Sequence, residues 1–175
     1  NLDELENAEG IARGKTQPHD LAMVGPATLM VRVHHGFICQ DAINACLLAK
    51  IGITGPRQEV LVGPRGYLEM AKWETDSDAL VDGLGEKWEM MNVMMKPYAS
   101  CKGTHTAVGG ILEQMVEQNF SAEDIVKINI DESSTNWSFV CVPKETKWNP
   151  RTVAECQFSL PYAVASAAFD NKLFL

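Results

Sequence analysis

A wide apolar stripe with a helical repeat runs from His35 to Ile51 and predicts a helix over this span. The stripe is broad enough to require packing partners on more than one side. Lys50 in the last turn and Gly52 just beyond it mark the expected end of the helix, because glycine readily adopts the left-handed conformation of a helix cap. We therefore expect this helix to be buried between other helices.

The second part of the chain mixes helical and strand-like patterns. A helix is predicted to begin at Ser100 or Thr104, and another after the capping-box pair Thr152 and Glu155, with Pro161 expected to kink or interrupt it. Strands are predicted at residues 88–95, 126–131 and 138–142. This order favours an α+β fold, in which a small mixed sheet with packed helices is flanked by helices belonging to an all-helical domain.

Charge and segment length exclude several classes of protein. The longest stretch without a charged residue, 156–169, is fourteen residues long, whereas a membrane span needs about 20 apolar residues. A net charge of −8 over 175 residues disfavours nucleic acid and anionic membranes as partners. Five scattered cysteines without a CxxC pair are typical of reduced thiols, so we expect a cytoplasmic protein.

We expect neither a metal nor another cofactor. Two Cys/His pairs with a spacing of four residues, His35 with Cys39 and Cys101 with His105, would each share one face of a helix. A structural zinc site needs four ligands, and no convincing second pair accompanies either one.

Two windows without Asp or Glu stand out in this acidic chain. Residues 21–40 contain Arg32 and His34, and residues 90–112 contain Lys96, Lys102 and His105. The second window runs into a predicted helix start, where free N–H groups favour an anion. It therefore predicts a site for a small carboxylate, with His105 able to move a proton. The alternative interpretation is that His105 packs or caps and the lysines are solvated.

Three segments of the chain resemble one known family. Residues 96–105 match the K-P-Y-P-x-C-x-x-T-H segment of the 2-methylcitrate dehydratase family, also called the MmgE/PrpD superfamily, except that alanine replaces the second proline. Residues 33–56 resemble its R-L-H-x-G … A-A-L-L-A … G-F-T-G-P stretch, and residues 157–165 resemble its Q-F-S-L-P-Y-A-V-A helix. Three motifs in the right order make the resemblance specific.

The resemblance implies a metal-independent lyase of the 2-methylcitrate dehydratase type that acts on small di- and tricarboxylates. Iminodisuccinate epimerase and cis-aconitate decarboxylase are alternatives within the same family, and all share proton removal or delivery beside a carboxylate. By this resemblance Lys96 and His105 are catalytic. The expected substrate-binding residues are Ser100, Cys101, Lys102, Thr104, Arg32 and His34.

The resemblance also implies a division of the chain. The family has a large all-helical domain with a smaller α+β lid inserted in it. Residues 1–55 are expected to end a helical-domain segment, 56–150 to form the lid, and 151–175 to return to the helical domain. The chain would then be a lid-containing fragment that lacks an upstream Asp and His needed for catalysis. Val31 also stands where the family usually has a site lysine.

A different class of function is a truncated, non-catalytic module that binds carboxylates or dimerises. We expect a small carboxylate as the ligand and a homo-oligomer as the assembly, because apolar helices without their family partners favour association.

Overall fold

The computed structural model describes residues 1–15, 27–72 and 77–173, and its regular elements are helices. The α-helices are α1 (Leu2–Lys15), α2 (His34–Lys50), α3 (Tyr67–Met70), α4 (His105–Gln118), α5 (Ser134–Val140), α6 (Lys144–Trp148), α7 (Val153–Gln157) and α8 (Leu160–Asp170). Short 3-10 helices are formed by Leu29–Arg32, Ser77–Leu80, Glu89–Asn92, Lys102–Thr104 and Ala122–Asp124. Within the described ranges, no helix is long and apolar enough to cross a membrane.

The predicted α+β fold with a small mixed sheet is wrong, because the described residues form no β-strand. Residues 138–142 fall largely within α5. Residues 88–95 contain only the 3-10 turn Glu89–Asn92, and their apolar side chains are exposed. The alternating segment 126–131 has no regular structure, and its Val126 is 100% exposed. A strand requires a neighbouring strand to satisfy its backbone groups, and alternation alone cannot supply that neighbour.

Several helix boundaries predicted from local signals are confirmed. The helix expected at 35–51 is α2, and Gly52 follows it with a φ of +93°. Thr152 and Glu155 form the expected capping box at the start of α7. Pro161 interrupts the apolar pattern as predicted, since it lies in the first turn of a separate helix, α8, capped by Ser159. Pro is well tolerated there because the N–H it lacks has no partner within a helix start.

Two compact units make up the chain, and each is described by itself. The first unit contains Asn1–Asp20 and Arg32–Val93, and the second contains Leu21–Val31 and Met94–Leu175. The predicted division into helical-domain and lid segments at residues 55/56 and 150/151 stays a prediction.

The first unit is organised by α1, which packs against α2. The side-chain oxygen of Asn7, which is buried, accepts hydrogen bonds from the backbone N–H of Gly55 at 3.2 Å and from Nε of Arg57 at 3.4 Å. Gly10 lies so close to Pro56 that a Cβ atom built on it would overlap the proline carbonyl oxygen. Helix α1 therefore packs against the turn after α2 through direct contact between the backbones of Gly10 and Pro56.

The second unit has a core in which α4 packs against α8. Helix α4 contributes Val108, Ile111 and Met115, and α8 contributes Leu160, Ala163, Val164, Ala167 and Ala168. The three alanines have small side chains, so the larger side chains of α4 can fill the space between the two helices. A smaller apolar cluster contains Ala27, Ala154 and Phe158.

Gly10→Ala should destabilise the first unit by roughly 1–3 kcal/mol, because the new methyl group meets fixed backbone atoms of Pro56. Gly14→Ala is the matched control: it makes the same change in the same helix, where nothing lies within 4 Å of the new atom. That control should gain up to about 1 kcal/mol from the better helix propensity of alanine. Urea unfolding followed by circular dichroism measures both, and equal effects of the two substitutions would contradict the close contact.

Candidate functional site

The candidate site lies in the second unit, where residues 96–105 lead into α4. A 3-10 turn, Lys102–Thr104, continues directly into the helix. A surface pocket of about 260 Å³ opens here, and its lining includes Lys96, Tyr98, Lys102 and His105. Met94, Met95, Pro97 and Thr106 complete the lining.

Lys96 and His105, the two predicted catalytic residues, share one hydrogen-bond acceptor. The carbonyl oxygen of Ser100 lies 3.3 Å from Nζ of Lys96 and 3.4 Å from Nε2 of His105. This one backbone oxygen thus contacts the polar ends of both side chains, which line the same pocket. The structure brings these two residues together, while their catalytic role stays a prediction.

Ser100 and Thr104, predicted to bind substrate, are both buried and bonded to each other. Their hydroxyl oxygens are 2.7 Å apart, and the Thr104 hydroxyl also donates to the carbonyl of Cys101 at 2.9 Å. Because Thr104 uses its one hydroxyl proton there, the Ser100 hydroxyl must be the donor within the pair. This buried pair holds the backbone turn on which the Ser100 carbonyl is presented.

Helix α7, which is distant in the sequence, is hydrogen-bonded to the same turn. The backbone N–H of Cys101 donates to the carbonyl of Gln157 at 2.7 Å, and the Gln157 side chain donates from Nε2 to the Ala99 carbonyl at 2.8 Å. Cys101 is half-buried and packs against the cluster around Phe158, as does Val31. Val31 therefore provides an apolar contact at the position where the resemblance predicts a lysine.

The pocket lining is positively charged. Lys96 and Lys102 are exposed, His105 is half-buried, and none of the eight lining residues is Asp or Glu. Nζ of Lys102 lies 3.6 Å from the sulfur of Met94, a weak contact for an ammonium group. The first bond of the helical turn is donated by the N–H of Thr104 to Cys101, so the N–H groups of Lys102 and Gly103 lie outside the helical ladder. Such groups favour an anion.

Arg32 and His34 belong to the first unit. Arg32 ends the 3-10 helix Leu29–Arg32, and His34 is the first residue of α2, with its ring centroid 4.0 Å from that of His35. Their place in a substrate site with Lys96 and His105 stays a prediction. Over the described ranges, no three His, Cys, Asp or Glu side chains cluster so as to hold a metal ion.

Lys147 is an unusual residue that no sequence pattern pointed to. It lies in α6, its side chain is only 1% exposed, and Nζ has no hydrogen-bond partner among the described residues. Burial lowers the pKa of Lys147, and this is opposed by the thiols of Cys101 and Cys141 and by Glu155. Burial likewise raises the pKa of the Cys141 thiol. From its sequence, a lysine in a short polar helix is expected to be exposed to solvent. Only the tertiary packing shows that Lys147 is buried.

Lys147→Met should stabilise the second unit near neutral pH. A lysine whose pKa is lower in the folded state destabilises that state most at pH values where its amine is protonated. This loss of folding stability disappears as the pH rises towards the pKa of lysine in the unfolded state, about 10.4. The wild-type protein should therefore gain stability with rising pH in this range, and the variant should lose that dependence. A gain of about 1–3 kcal/mol is expected, the usual cost of a buried group without a partner.

The matched control is Lys144→Met, the same change at an exposed position of the same helix. Urea unfolding between pH 6 and pH 10 measures all three proteins. An identical pH dependence in wild type and Lys147→Met would contradict the assignment of a buried, unpaired amine.

Residues 98–175 match the model of the MmgE/PrpD C-terminal domain. The matched region contains the pocket residues Tyr98, Lys102 and His105, together with α4 through α8. The family resemblance inferred from the motifs is thus confirmed for residues 98–175. For the segment 33–56 it stays a prediction. No curated protein matches the chain.

Proposed function

We propose that the pocket at the start of α4 binds a carboxylate group of a small di- or tricarboxylate, as part of a metal-independent lyase of the 2-methylcitrate dehydratase type. The observation that carries the proposal is the convergence of Lys96 and His105 on the Ser100 carbonyl, beside a lining that has no acid. The match of residues 98–175 to the MmgE/PrpD C-terminal domain supports the same class of enzyme.

The chemistry follows from the residues that line the pocket. Lys96 and Lys102 would bind a carboxylate, and the positive charge would stabilise the enolate-like charge that forms when a proton leaves the adjacent carbon. His105 would accept or deliver that proton. Epimerisation or decarboxylation of related acids would use the same steps, so substrate geometry distinguishes these alternatives.

The pocket residues alone do not account for full enzymatic acceleration. One positioned proton-transfer group contributes about 10²–10⁴-fold, whereas enzymes typically reach at least about 10⁶-fold. The remaining factor requires groups that orient the substrate and exclude water. We therefore expect carboxylate binding to be measurable under conditions where this chain shows no turnover of 2-methylcitrate, citrate or cis-aconitate.

Citrate should bind to the pocket with an affinity that falls as salt concentration rises. Lys96→Met and His105→Gln should each weaken binding roughly three- to tenfold, since a partly exposed charge contact or hydrogen bond contributes about 1 kcal/mol. Isothermal titration calorimetry at two salt concentrations measures this. Lys127→Met, which removes an exposed lysine elsewhere in the second unit, is the control. Equal weakening by all three substitutions would indicate only a non-specific charge effect.

A second candidate function is a dimerisation module, favoured by the exposed apolar face of α2. Ile43, Leu47 and Ile51 recur every four residues and are all more than half exposed, as are Phe37 and Ile38. In α8, by contrast, most apolar side chains are buried in the core of the second unit. An exposed apolar stripe of this kind favours association with a second copy through α2.

Ile43→Glu with Leu47→Glu should convert an oligomer into a monomer, because two buried carboxylates would oppose the apolar contact. Multi-angle light scattering well above micromolar concentration measures the mass. Ala42→Glu, a new charge at an exposed position about 100° around the same helix from Ile43, should leave the oligomer intact. A strictly monomeric wild-type protein would rule out this candidate.

A further inference from the structure

We propose that Tyr98 is a positioning residue for His105: its ring holds the imidazole so that Nε2 stays on the Ser100 carbonyl and Nδ1 is the nitrogen that exchanges a proton. This inference rests on the proposed function of the same pocket. It adds a residue that acts through the histidine and assigns separate roles to the two ring nitrogens.

The first observation is the contact between the two rings. The ring centroids of Tyr98 and His105 are 5.3 Å apart, and the ring planes meet at 84°. This nearly perpendicular arrangement is one of the two favoured geometries of aromatic pairs. Both residues are half-buried, so the contact limits rotation of the imidazole while one side remains open to the pocket that both rings line.

The second observation concerns the hydrogen bond of the imidazole. Nε2 of His105 lies 3.4 Å from the carbonyl oxygen of Ser100. A carbonyl oxygen can only accept, so this contact is a hydrogen bond only when Nε2 carries the proton. Neutral His105 then has its lone pair on Nδ1, which becomes the proton acceptor. The carbonyl is itself held in place, because the hydroxyl of Ser100 is bonded to that of Thr104 at 2.7 Å.

The third observation is the fit of Tyr98 along α4. Gly109 lies four residues after His105 and therefore on the same face of the helix. A Cβ atom built on Gly109 would stand 3.5 Å from the hydroxyl oxygen of Tyr98. The tyrosine ring thus extends along α4 from His105 to the next turn, where its hydroxyl lies beside Gly109.

The test uses the whole chain with ¹⁵N-labelled histidine. Long-range ¹H–¹⁵N spectra report which ring nitrogen carries the proton, and loss of signals in His105→Gln assigns them. The wild-type protein should show the Nε2–H tautomer for His105, with cross-relaxation between the two rings. Tyr98→Leu should give mixed tautomers, whereas Tyr98→Phe, which keeps the ring, should retain the wild-type spectrum.

Citrate affinity provides a second readout. Tyr98→Leu should bind citrate about two- to tenfold more weakly, the range that corresponds to the energy of an edge-to-face aromatic pair, and Tyr98→Phe should stay within about twofold of wild type. If the wild-type protein fails to bind citrate, the proposed function is wrong, but the tautomer spectra still decide whether Tyr98 positions His105.

Three results would overturn the inference: an Nδ1–H tautomer in the wild-type protein, no cross-relaxation between the rings, or an unchanged His105 spectrum in a folded Tyr98→Leu variant. A Tyr98→Phe variant as impaired as Tyr98→Leu would also overturn it, because the hydroxyl rather than the ring would then be responsible. Should circular dichroism show that Tyr98→Leu is unfolded, the wild-type spectra and Tyr98→Phe decide the question.

Discussion

The packing of α4 against α8 is the contact on which the second unit depends. The small side chains of Ala163 and Ala167 on α8 leave room for Val108 and Ile111 on α4, and all four are buried. Close packing of this kind resists small displacements. Because α4 begins at His105, the core that holds the helix also fixes the histidine. The pocket is therefore built at the end of a rigid element, although several of its charged groups are exposed.

A layer of hydrogen bonds connects that core to the pocket. The buried hydroxyls of Ser100 and Thr104 hold the turn from inside, and the bonds between Gln157 and the backbone of residues 99 and 101 hold it from α7. These bonds are neutral and the two hydroxyls are buried, while Lys96 and Lys102 remain at the surface. The division is suited to binding an anion: the scaffold is fixed in advance, and the cations stay hydrated until a ligand replaces the water.

Lys147 shows that the second unit also tolerates an unfavourable feature. Burying an amine without a partner destabilises a fold, yet the aliphatic part of the side chain still fills apolar space. Its helix is fixed by a hydrogen bond from the Ser159 hydroxyl to the Lys147 carbonyl, and Ser159 also caps α8. Helices α6 and α8 are thus joined at the position of the buried lysine, so removing its charge should leave the backbone arrangement intact.

Local signals in the sequence determined the helix ends and the site segment. The boundaries at Gly52, Thr152 and Pro161 follow from cap chemistry and proline geometry, which depend on a few neighbouring residues. The acid-free window and the motif of residues 96–105 likewise indicated the pocket around His105. Only the tertiary structure decided that 126–131 lacks a strand partner, that Lys147 is buried, and that Tyr98 packs on His105. Strand pairing, burial and ring contacts depend on residues far apart in the chain, and the periodicity of one segment carries no information about what it will meet.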